Sequence, residues 1–128
     1  MKPLQIDNHL LFYVINMYIF IGWKGNMPIY NKLVRDKIPE IIEKSGKKAI
    51  TTVLNDGEYL TELDRKLNEE CAEYQQDKSV EELADMLEVI YAITVARGYS
   101  VDELEKARRE KAEKCGGFND KIFLREVK

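Results

Sequence analysis

Apolar residues recur at helical spacing through the middle of the chain. Leu60, Leu63, Leu67, Cys71 and Tyr74 share one face at about 100° per residue. Asn55 and Glu58 fit a capping box, so this helix is expected to begin just after Asn55. The pattern predicts a second helix from near Ser79 to about Arg97, stopped by Gly98. Val80, Leu83, Leu87, Ile90 and Thr94 form one of its apolar faces. Val89, Ala92 and Ile93 make the other side apolar as well, which predicts burial on two sides. A third helix is expected from Ser100, capped by Ser100-x-x-Glu103, to Gly116-Gly117-Phe118. Short connections between such helices imply antiparallel neighbours. Upstream, Ile38, Ile41 and Ile42 give a short helix its stripe, with Asp36 as the expected N-cap, Pro39 in the first turn and Gly46 past the end. Residues 49–54 are β-branched and bounded by turn residues, and "KIFLREV" near the C-terminus has the same character. The expected fold is mainly α: an antiparallel helical bundle, to which these two segments could add a small two-stranded β ribbon.

The first 26 residues differ from the rest. "HLLFYVINMYIFIGW" is apolar and aromatic, broken by Asn16, yet its run is shorter than the roughly 20 residues that span a bilayer. Lys2 is its only preceding charge, and no small-x-small cleavage site follows, so a signal peptide fits poorly. A peripheral anchor, an extra packed element and a non-native upstream extension are the three readings. The expectation adopted is an apolar extension at residues 1–26 that is not native protein, followed by one domain at 27–128 beginning "MPIYNKLVRDKIPEII". Contact with a membrane is expected only if the extension is native.

Composition narrows the function classes. A chain of 128 residues with 45% apolar and 34% charged residues has room for one modest core. Net charge is −3, and Lys and Arg are scattered rather than gathered in a stripe, which argues against a nucleic-acid module. Cys71 and Cys115 form no C-x-x-C pair and read as free thiols of a reducing, cytoplasmic compartment. His9 is the only histidine, which argues against a zinc site built on His and Cys.

The carboxylates of "NEECAEYQQDKSVEELADMLEV" carry the candidate chemistry. Glu70 lies between Leu67 and Tyr74, at the edge of the apolar face, and Glu73 follows one turn on. Glu69 points away. On the next helix Glu82 and Asp85 precede Val89 and Ala92 on the second apolar side. Four inward carboxylates would repel each other in a poorly solvated place unless most protonate or a cation neutralises them. Oxygen-only ligation suits Mg²⁺, Mn²⁺ or Ca²⁺. Ser79-x-x-Glu82 is equally a capping box, so Glu82 has a competing structural role. Glu69, Glu81 and Glu88 read more simply as solvated residues.

Glu69-Glu70-x-x-Glu73 followed by Glu82-x-x-Asp85 resembles the EExxE…ExxD signature of the all-alpha NTP pyrophosphatases, the MazG-like superfamily. "YNKLVRDKIPEII", "EELADMLEVIYAI" and "KAEKCGGFNDKIFL" are similar to its small phosphoribosyl-ATP pyrophosphohydrolase-like or house-cleaning branch. The resemblance implies a Mg²⁺-dependent enzyme, with Mn²⁺ as a substitute, that cleaves a nucleoside triphosphate between the α and β phosphates. It implies Glu70, Glu73, Glu82 and Asp85 as metal ligands and Glu69 as the residue orienting or deprotonating the attacking water. It also implies homo-oligomers, at least dimers. Arg35, Lys37, Lys111 and Lys114 are candidates for phosphate contact, with Lys121 beside them, although a solvated charge or helix-end partner explains each equally well. Two departures stand out. Only eight residues separate Glu73 from Glu82, and Cys115 stands where the family usually carries Arg. Phosphoribosyl-ATP hydrolysis in histidine synthesis and a non-catalytic binding or regulatory module of the same fold are the alternative functions.

Overall fold

The computed structural model describes residues 30–128. The expected extension at 1–26 and its boundary with the domain lie outside the described residues. Among the described residues there are four helices and no strand: α1 (Ile38–Lys44), α2 (Asp56–Gln76), α3 (Val80–Ala96) and α4 (Val101–Cys115). The mainly helical expectation therefore holds.

Local chemistry sets these bounds. Asn55 Oδ1 accepts the Glu58 N–H at 2.9 Å, and the Asn55 amide donates back to the Glu58 carboxylate, which starts α2. Ser100 and Glu103 close a reciprocal capping box at the start of α4. α3 ends in a Schellman motif: Tyr99 N–H donates to Thr94 C=O at 3.0 Å and Gly98 N–H to Val95 C=O at 3.0 Å. Gly98 holds φ +89°, a left-handed conformation that disfavours any Cβ. One expectation shifts at α1. Lys37, not Asp36, occupies its N-cap position, without a side-chain cap, after a turn in which Ile38 N–H donates to Arg35 C=O at 3.0 Å.

α2 and α3 make the main helix–helix contact, while α4 touches α3 over a much smaller surface. Residues 77–79 alone connect α2 to α3, so the pair forms a helical hairpin. Among the described residues, Leu63 of α2 and Ile38 of α1 are the buried apolar residues. Leu60, Leu67, Cys71 and Tyr74, the expected face of α2, are half-buried. In its first two turns α3 turns its carboxylate-bearing side inward, burying Glu82 and Asp85, while Thr94 of the other face is buried near its C-terminal end. Val80, Leu83 and Leu87, expected as a core face, are exposed.

The β ribbon does not form. Residues 49–54 and 121–127 carry no strand, and Ile50, Val53, Ile122 and Phe123 are exposed. β-branched composition favours an extended backbone, but a sheet needs a partner strand and a face to bury. Neither segment finds one among the described residues.

Candidate metal centre

The hairpin brings the carboxylates together because of where they lie on each helix. Glu70 and Glu73 occupy the last two turns of α2, and Glu82 and Asp85 the first two of α3. The short connection thus sets both pairs at the same end of the hairpin. Glu70, Glu82 and Asp85 each offer a carboxylate oxygen, and these atoms all lie within 4.8 Å of one another. The three residues are only 4%, 5% and 9% exposed. Carboxylates so buried are rare without a partner charge.

Cations reach the cluster from two directions. Arg35, on the segment before α1, places Nη2 2.7 Å from Asp85 Oδ1. Lys66, one turn before Glu70, places Nζ 3.6 Å from Glu70 Oε1 and 3.6 Å from Glu69 Oε1. These leave Glu70 incompletely satisfied. Its Oε2 is buried and accepts no hydrogen bond among the described residues. Burial is the largest cause of a Glu70 pKa raised to about 7, and the neighbouring Glu73 charge adds to it while Lys66 opposes it. Glu73 is half-buried, and burial raises its pKa as well. The Glu73 charge is felt at Glu70, which sets Glu73 beside the group of three.

The capping question at Glu82 has a local answer. Ser79 Oγ accepts the Glu82 backbone N–H at 3.4 Å, while the Glu82 carboxylate lies in the buried cluster. One residue thus anchors the start of α3 through its backbone and supplies a site oxygen through its side chain.

Glu69 sits outside the cluster, half-buried, with Lys32 Nζ 3.2 Å from its Oε1. Lys32 and Lys66 were not singled out from the sequence. Lys66 could have been, since it precedes Glu69 and Glu70 at the i+3 and i+4 spacings that bring helical side chains together. Arg35 stands beside Asp85. Lys37 is exposed at the α1 N-cap, and Lys111 and Lys114 are exposed near the end of α4. Among the described residues none of these three lysines bonds to the cluster. Cys115, the last residue of α4, is exposed and Cys71 is half-buried.

No family model matches the chain, and no solved structure matches it. An uncharacterised protein of Mycolicibacterium smegmatis is 52% identical over 42 residues, covering 33% of this chain and 43% of that protein. The chain thus spans less than half the length of that relative. No helix among the described residues is long and apolar enough to cross a membrane.

Proposed function

We propose that the chain is a Mg²⁺-dependent nucleoside triphosphate pyrophosphohydrolase of the MazG-like kind, releasing a nucleoside monophosphate and pyrophosphate in the clearance of nucleotides from the cellular pool. The observation that supports this reading most directly is the buried group of Glu70, Glu82 and Asp85, with Glu70 Oε2 lacking a donor. A donor set of hard oxygens alone suits Mg²⁺ or Mn²⁺. An orphaned buried carboxylate oxygen is what a cation would satisfy. Glu70, Glu82 and Asp85 would hold the ion, with Glu73 alongside. When bound, Mg²⁺ supplies charge neutralisation and Lewis acidity to the phosphates. Glu69, on the neighbouring face of α2, would orient or deprotonate the water that attacks the α-phosphorus. The reading also carries self-association, supported by Leu83 and Leu87, which leave an apolar strip of α3 exposed.

The test is pyrophosphate release from a panel of nucleoside triphosphates and phosphoribosyl-ATP, with Mg²⁺ and with a chelator. Glu70→Gln and Asp85→Asn are each expected to lower the Mg²⁺-dependent rate about 100-fold. Absence of metal-dependent release from every substrate would leave a binding module as the better reading. Full activity in both variants would move the site elsewhere.

A further inference from the structure

Beside the carboxylates lies a cavity of about 190 Å³ between α2 and the segment that precedes α1. Three cations converge on it: Lys32 from the segment, and Arg65 and Lys66 from α2. Two carboxylates, Glu62 and Glu69, share its wall. Arg65 Nη1 is 3.0 Å from Glu62 Oε1, and Lys32 reaches Glu69 at 3.2 Å. The lining therefore carries one more positive than negative charge. The cavity is smaller than the roughly 300 Å³ at which pockets begin to hold drug-sized ligands. A nucleoside would also want a larger wall. Small volume and cationic lining together select a compact anion.

Lys66 joins the cavity to the carboxylates. Its side chain is 11% exposed, and its ammonium stands equally far from Glu69 on the cavity side and Glu70 on the cluster side. With the carboxylates bare, their charge disfavours an anion next door and engages Lys66. A divalent cation on Glu70, Glu82 and Asp85 would change both conditions. The cluster would lose its repulsion, and Lys66 would be released toward the cavity.

We propose that this cavity binds a pyrophosphate group, as the β and γ phosphates of a triphosphate or as the free product, with Lys32, Arg65 and Lys66 as its recognising charges. The inference rests on the pyrophosphohydrolase reading for the placement of the reacting phosphate, and it adds residues that the acidic signature does not contain. It also makes Lys66 a charge shared between two sites. Cation and anion then strengthen each other's binding by the same factor, as linkage requires.

Calorimetric binding of inorganic pyrophosphate at fixed free Mg²⁺ tests this, with Lys32→Gln and Arg65→Gln. Lys32 and Arg65 are exposed, so neither change should unfold the chain. Each is expected to weaken pyrophosphate about tenfold while leaving Mg²⁺ affinity, titrated without pyrophosphate, near wild type. An α,β-methylene nucleoside triphosphate should lose the same factor if the cavity takes the triphosphate tail; a loss confined to free pyrophosphate would mark it as a product site. Lys66→Gln should weaken pyrophosphate yet tighten Mg²⁺ severalfold, opposite signs that a merely structural lysine would not produce. Wild-type pyrophosphate affinity in both Lys32→Gln and Arg65→Gln would overturn the proposal, even if triphosphates are cleaved. The expected weakening in a protein that cleaves no triphosphate would sustain the cavity and sink the pyrophosphohydrolase reading instead.

Discussion

At the scale of single residues, Glu70 is where the energetic conflict concentrates. Its folded pKa is raised to about 7 from an ordinary 4.5. The folded protein thus holds a proton that the unfolded chain gives up between those values. Stability from this group is fully present below about pH 4.5 and is lost as pH rises through 7, by roughly 3 kcal/mol at most. With a chelator present, urea unfolding should show a more stable protein at pH 5 than at pH 8, and Glu70→Gln should flatten that slope. The amide also relieves repulsion, so Glu70→Gln should melt at or above the wild-type temperature without metal. Asp85→Asn should gain less, because it strips Arg35 of its partner at 2.7 Å. Cation binding must displace the Glu70 proton, so Mg²⁺ affinity should rise from pH 5.5 to 7.5 and level off above that. An affinity flat across this range would remove Glu70 from the ligand set. The Lys66–Glu70 pair was readable from one-turn spacing. The Arg35–Asp85 pair was not, because it joins residues 50 apart through a loop whose path no local pattern fixes.

At the scale of elements, the serine caps separate structure from chemistry. Ser100→Ala should cost about 1 kcal/mol, read as a lower melting temperature with Mg²⁺ affinity unchanged. Ser79→Ala should cost a similar amount and also weaken Mg²⁺, because Ser79 holds the backbone of a site residue. Equal Mg²⁺ affinity in both variants would show that the α3 cap does not position Glu82. The helix ends were legible in the sequence because Asn55, Ser79, Ser100 and Gly98 act on backbone groups within one turn. The ribbon misled for the converse reason. Ile50, Val53, Ile122 and Phe123 carry β-branched or aromatic side chains, but pairing is a long-range event that local preference does not supply. The inner face of α3 was half legible. Its periodicity marked two apolar sides without saying which would be buried; the side bearing Glu82 and Asp85 is buried in the first two turns, and Thr94 of the other side near the end.

At the scale of the whole molecule, burial among the described residues is sparse. Ile38 and Leu63 are the buried apolar residues among those described, while Val80, Leu83, Leu87 and Val95 leave much of α3 open. A helix apolar on two sides normally lies between two neighbours, and α2 covers one side. Sedimentation should therefore show a species larger than a single chain, and Leu83→Lys combined with Leu87→Lys should shift it toward the monomer. A wild-type monomer at micromolar concentration would refute the self-association reading.

The three-residue link between α2 and α3 has one more consequence. It makes the hairpin a pair of tweezers whose jaws are charged alike near the hinge, and an ion gripped there would act as a removable staple. Loading it should slow amide hydrogen exchange along both arms together, in the last turns of α2 and the first turns of α3, while α4, which barely touches the hairpin, keeps its own rate.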